Sequence, residues 1–482
     1  MTPGGAGAVT VTITRVGGYA GDVTLALDSP PTGVTATFTP ATLTGSVTTS
    51  TLTLSASATA AATNALTVRA AGTGVTAQSA TLSLTVALSG GSVLYKFCGE
   101  TPTFFAYRNG SSGGWTALTV GANNTFSFTL SQGTGQIAYA TPGASGAVDV
   151  QVQQFAATEF TAYSSFACAG NTGTNTVAGT VAGLNSAGSF MRIAFGGTSA
   201  RAIQNGAFTI DRVQAGPSDL IASRLVPDIT TNNAGVVDKI ILRRSVSPAA
   251  GGSVGPVIDF AASEAVAPAP ATYAISNSDN TEFIWGNVIF STANGASITW
   301  QTFNLAGGTT STPLYGVPST LTRAGDFHAV SVTAFKPAIS DTASRTAGIY
   351  TKNVAPAALI LGAPATSPTV NTSATAPYAR VRSQGPWQAE YPDAVTTVFV
   401  QSSGSKTWTI TASRAYFGGS STTYDLDVPD LSAVSGFNNA WGLVAGASTA
   451  YRFQVFAGLG GLTGITEGST FKRSGRFTTI TP

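Results

Sequence analysis

Large apolar residues recur at every second position in short runs, and turn-forming residues cut each run off before it reaches helical length. Val9, Val11 and Ile13 face one way while Thr10, Thr12 and Thr14 face the other; Gly17-Gly18 turns the chain, and Val23-Thr24-Leu25-Ala26-Leu27 resumes the pattern. A period of two marks a half-buried strand. It returns over 34–38, 50–55, 65–69 and 80–87, and again over 282–290, 297–303, 328–335, 347–351, 396–401, 406–411, 441–444, 451–456 and 475–481. The chain is therefore predicted to be all-β, built of tandem β-sandwich domains.

Length permits about three domains of roughly 150 residues, or four or five sandwiches of about 100. With 43% hydrophobic residues the 482-residue chain is no disordered polymer, despite 55 glycines. Only 9% of residues are charged and there is one histidine, a poor supply for catalysis. The 23 basic and 21 acidic residues form no run, which disfavours nucleic acid binding. A net charge of +2 lets copies approach one another. Lysine, a common guard of sheet edges, occurs only as Lys96, Lys239, Lys336, Lys352, Lys406 and Lys472. A homo-oligomer or polymer is the expected state. No window reaches the roughly 18 apolar residues of a spanning helix. The opening Met1-Thr2-Pro3-Gly4-Gly5 lacks the regions of a signal peptide, so an export signal is expected to have been removed or to lie outside this numbering.

Two segments carry resemblances. Ile13-Thr14-Arg15-Val16-Gly17-Gly18-Tyr19-Ala20-Gly21-Asp22-Val23-Thr24-Leu25, followed by Pro31-Thr32-Gly33-Val34-Thr35-Ala36-Thr37-Phe38-Thr39-Pro40, resembles the tandem immunoglobulin-like repeats of bacterial secreted and surface proteins, over about residues 8–88. The resemblance implies a spacer role and an extracellular, cell-surface location. Gly196-Gly197, Asn205-Gly206-Ala207-Phe208-Thr209-Ile210, Val213, Gly216 and Asp219-Leu220-Ile221-Ala222-Ser223 resemble the carboxypeptidase-regulatory-like, transthyretin-like domain over 176–260. That implies a structural or accessory role and brings no catalytic residues. Pro/Ala-rich stretches at 265–271 and 355–377 read as linkers. The expected units are an Ig-like sandwich (1–90), an aromatic-rich β domain (91–172), the regulatory-like sandwich (173–262), a β domain of no recognised family (263–376) and a C-terminal sandwich-like domain (377–482).

Candidate chemistry is sparse. Cys98 and Cys168 would, if bridged, close a loop of about 70 residues worth roughly 4 kcal/mol; the alternative is two separate buried thiols. Gly-x-Ser-x-Gly occurs around Ser112 and Ser253, but no helical pattern follows either, and only His328 could serve as base. His328 is expected to be a packed strand residue. Glu390 and Asp393 are the only carboxylates clustered with aromatics. Asp425, Asp427 and Asp430 are the one candidate calcium set, against a reading as outward-facing acids on an edge strand. No other cofactor is expected. Trp115, Trp387, Tyr391 and Trp408 are the candidate ligand-contact aromatics, for a glycan or cell-surface partner. The expectation is a secreted, non-catalytic structural protein that joins copies into a fibre, sheath or layer, with Ala8–Arg15 as a strand open to edge addition. The alternative is an adhesin or carbohydrate binder acting as a monomer.

Overall fold

The computed structural model describes residues 6–482 apart from 29, 31–33, 57–62, 86–90, 98–100, 122–123, 144–145, 161–174, 186–187, 215, 229–232, 249–251, 256, 337–341, 403–404 and 459–465. The chain is all-β, as its alternation requires. Among the described residues no helix is long and apolar enough to cross a membrane.

Residues 6–85 form a two-layer sandwich. Ala6–Thr12, Thr49–Ala56 and Val34–Thr39 make one sheet, and Thr42–Leu43, Val23–Asp28, Thr63–Gly72 and Gln78–Thr85 the other. Alternation does the sorting: Leu52, Leu54 and Ala56 are buried while Thr51, Thr53 and Ser55 are not. A second sandwich follows, with Gly206–Val213, Asn175–Ala182 and Ile258–Asp259 facing Thr198–Ala202, Phe190–Phe195, Ser218–Asp228 and Asn233–Val246. Val177, Ile193, Phe195, Phe208, Ile210 and Leu220 fill it.

The rest is organised by one twelve-stranded sheet. In spatial order its strands are Trp115–Ala117, Phe104–Asn109, Thr134–Pro142, Val148–Ala156, Lys406–Ser413, Ala394–Gln401, Thr449–Ala457, Thr470–Ile480, Thr342–Thr351, Phe327–Phe335, Phe283–Ser291 and Ser297–Ala306. Every neighbouring pair is antiparallel except one: Val148–Gln154 runs parallel to Lys406–Ala412, residue for residue. Smaller sheets cover this platform. The pair Gly91–Lys96 and Thr125–Leu130 encloses Tyr95, Phe105, Phe126, Phe128 and Phe155, while Arg380–Pro386 with its neighbours closes a core of Trp408, Phe399, Tyr391, Tyr451 and Val150 on the other face. Strand Phe104–Asn109 is thus buried on both sides, Phe104 and Ala106 toward one core and Phe105 toward the other. That accounts for its run of apolar residues at both parities.

Ladders and cores run across the expected units. Segment 91–172 shares a ladder and a core with 377–482; strand Thr342–Thr351 pairs with Thr470–Ile480 across the expected break at 376; and Phe190, Ile221 and Ile240 of the second sandwich pack into one core with Trp300, Val330 and Leu359. The stretch 355–377, expected as a linker, itself contributes strands Ala357–Ile360 and Thr369–Ala374. The physical reason is that a strand edge presents unpaired N–H and C=O groups, and a neighbour in space satisfies them as well as a neighbour in sequence. Alternation shows that a strand has a buried face but not which strand lies beside it.

Charge reinforces the junction at 262. Arg244 is bonded to Asp219 (2.7 Å) in its own sandwich and to Asp326 (2.5 Å) beyond the junction, and donates to the Leu321 carbonyl at 2.7 Å. Both carboxylates are almost wholly buried. Burial alone would raise Asp326, but hydrogen bonds from Arg244 and from the Arg323 and Ala293 amides outweigh it and hold the carboxyl below its ordinary range. Arg244→Ala strands two buried anions and is expected to cost about 3–5 kcal/mol. Differential scanning calorimetry checks this: the main endotherm falls, and a transition from the 6–85 sandwich stays in place. Combining Arg244→Met with Asp219→Asn and Asp326→Asn recovers most of the loss.

Candidate functional site

His328, Ser253, Glu390 and Asp393 each make hydrogen bonds within the fold. His328 is fully buried on Phe327–Phe335; its Nε2 accepts from the Val317 amide (2.9 Å) and its Nδ1 lies 3.0 Å from the Lys352 carbonyl, to which it donates. Burial pushes the imidazole down to about 4, so it is neutral at pH 7 and both nitrogens are occupied. Ser253 sits in a bridge to Ala178, where its Oγ accepts from the Gly255 amide at 3.3 Å. Ser112 lies in the turn between Phe104–Asn109 and Trp115–Ala117. Neither serine stands on a strand-to-helix elbow. Glu390 accepts from the Ala363 amide (2.6 Å) and Asp393 from the Gly458 amide (2.6 Å).

The calcium candidates do not converge. On strand Thr423–Asp427, Asp425 takes the Arg382 guanidinium and Asp427 accepts from Ser373 Oγ (2.8 Å); Asp430 lies 3.4 Å from Arg380 and caps Ser432. Among the described residues no three His, Cys, Asp or Glu side chains gather as a metal site. Cys98 and Cys168 lie outside the described residues.

Two of the four candidate aromatics are corrected to core. Trp408 is fully buried and donates from Nε1 to the Trp441 carbonyl (3.0 Å); Tyr391 is fully buried and donates to the Ala363 carbonyl (2.6 Å). Trp387 is half-buried, edge-on to Phe417 and Tyr424, and Trp115 is half-buried beneath the Arg108 guanidinium. Burial here follows strand parity and the small covering sheets, which the indole alone does not reveal.

Two surfaces are open. The first is a seam in the 6–85 sandwich. Among the described residues Ala6–Thr12 is paired on one side only, Gln78–Thr85 likewise, and a cavity of about 480 Å³ runs beside them, lined by Val11, Ile13, Val23, Leu25, Val68 and Ala70. The second is on the twelve-stranded sheet, where Phe283 (53% exposed), Trp285 (40%), Phe335 (38%) and Phe477 (43%) stand on the face opposite the Trp300 core. Phe283 and Phe335 are cross-strand partners with centroids 6.3 Å apart, and Arg452 lies over Phe477. These four were missed at the level of sequence. The available signal was Phe283-Ile284-Trp285, which places large apolar side chains on both parities although only one faces the core.

No family model matches this chain, and no curated protein matches it. Among solved structures it is matched to the crystal structure of a tetra-tandem repeat in the extending region of a large adhesion protein, at 11% identity over 86% of this chain and 95% of that one, with a TM-score of 0.12. A likeness that low does not amount to a shared fold and carries no functional inference.

His328 yields a pH prediction. Its folded value of about 4 lies below the 6.5 of a free imidazole, so the unfolded chain binds the extra proton first as pH falls. The contribution is fully present above pH 6.5 and is lost as pH falls through 4, about 3 kcal/mol in all. Urea unfolding between pH 7 and 4 is expected to show this loss, and His328→Gln, which cannot titrate, to show a shallower one.

Proposed function

We propose that this is a non-catalytic structural protein of a cell surface or extracellular layer, which joins other copies of itself by adding a strand at the open seam of its 6–85 sandwich. The observation that carries the reading is the coincidence of an edge strand, Ala6–Thr12, with an apolar cavity beside it. A strand laid along that edge gains main-chain hydrogen bonds from the ladder and places alternate side chains against Val11, Ile13 and Leu25. The large sheet suits a scaffold that offers no second polymerising edge. One of its margins is the three-residue strand Trp115–Ala117, and the other, Ser297–Ala306, lies against the second sandwich. Near-zero net charge removes the long-range repulsion that would oppose contact between copies.

A second reading, a monomeric adhesin or carbohydrate binder, rests on Phe283, Trp285, Phe335 and Phe477, since contiguous exposed aromatics mark interaction surfaces. Sedimentation velocity over a concentration series separates the two. Self-association is expected for the native protein, and Ile13→Lys, which puts an ammonium into the seam, is expected to hold it monomeric with its β circular dichroism retained. Native protein that stays monomeric at high concentration, together with glycan-array binding lost in Trp285→Ala, transfers the role to the sheet face.

A further inference from the structure

Strands Phe190–Phe195 and Thr198–Ala202 pair so that Arg192 stands directly opposite Arg201. Like charges in that position repel, and a sheet normally avoids them. Several guanidiniums elsewhere are answered by acids: Arg224 by Asp238, Arg243 by Glu264, Arg244 by Asp219 and Asp326, Arg345 by Glu282, Arg380 by Asp430 and Arg382 by Asp425. Among the described residues neither Arg192 nor Arg201 forms an ion pair. What holds the two heads is not charge. Arg192 Nη1 donates to the Thr299 carbonyl across the junction (2.9 Å), and Arg201 lies 4.0 Å from the centroid of the Phe190 ring, which also faces Arg192 at 5.7 Å. Burial, with the Arg201 charge added to it, holds Arg192 below the ordinary guanidinium range.

The two heads open on a cavity of about 430 Å³ between the second sandwich and the marginal strand Ser297–Ala306 of the large sheet. Its remaining lining is Ser199, Ala200, Ile298, Thr299 and Thr302. Positive charge is thus concentrated without a counterion, hydroxyl donors flank it, and the wall is otherwise small and apolar. Guanidinium forks match tetrahedral oxyanions in bidentate geometry.

We propose that this cavity binds a sulfate-class oxyanion, free or carried as an ester on a sugar, with Arg192 and Arg201 as its two cationic walls and Ser199 and Thr302 as neutral donors. The anion removes the cross-strand repulsion and ties the second sandwich to the large sheet, so occupancy stiffens the junction that Arg244 also spans. The inference is independent of the seam and of the aromatic face.

Isothermal titration of the full chain with sodium sulfate, and separately with N-acetylglucosamine 6-sulfate against the unsulfated sugar, tests it at fixed ionic strength. Binding of sulfate or of the ester is expected, with affinity falling at least about tenfold in Arg201→Ala and partly restored in Arg201→Lys. Equal affinity for sulfate and ester assigns the site to the free anion, and tighter binding of the ester assigns it to the sugar-borne group. Because Arg201 is exposed, its substitution spares the core, and thermal melting confirms the fold. The proposal is overturned if neither ligand binds, or if Arg201→Ala binds as well as the native chain.

Discussion

Everything in the large body of this protein depends on one ladder, the parallel pairing of Val148–Gln154 with Lys406–Ala412. More than 250 residues separate the two strands in sequence, yet their backbone groups have no better partners. Once they meet, Val150 and Val152 from one segment and Trp408 and Ile410 from the other enter a single core, and the strands flanking each side extend into twelve. Contacts this distant are entropically costly to close, and burial of Trp408, Phe399, Tyr391 and Tyr451 on the covered face offsets that cost.

The few charges follow the same logic. A chain with 21 acids and 23 bases could have left them all in solvent. Instead Arg244 bridges the second sandwich to the loop carrying Asp326, and Arg345 and Glu282 are paired in a buried site at 2.6 Å, with Arg345 also bonding the Gly362 carbonyl. Such pairs contribute little net stability, but removing one partner is expensive. Among the described residues Arg192 and Arg201 form no ion pair, and what sets them apart is that they stand directly opposite one another and face one cavity.

Part of the packing of the candidate residues was legible before any fold was known: a lone histidine among Phe and Val reads as a packed strand residue, and His328 is buried and bonded to Val317 and Lys352, while Glu390 and Asp393 accept from the Ala363 and Gly458 amides. The aromatic surface was not legible. Trp408 and Trp285 are both indoles in strands, and what separates them is which face of the great sheet a smaller sheet happens to cover.

The sequence by itself determined the strands, their turns and the buried parity within most of them, because a side-chain period of two is a local property of extended backbone. It also determined the two-layer form of 6–85 and of the second sandwich, where the strands that pair are close in the chain. Only the tertiary structure decided that the remaining segments share one sheet, that Trp408 is core while Trp285 is surface, and that two arginines without acids face one cavity. Hydrogen bonds between strands are indifferent to sequence distance, and so the partner across a ladder is chosen by the whole fold at once.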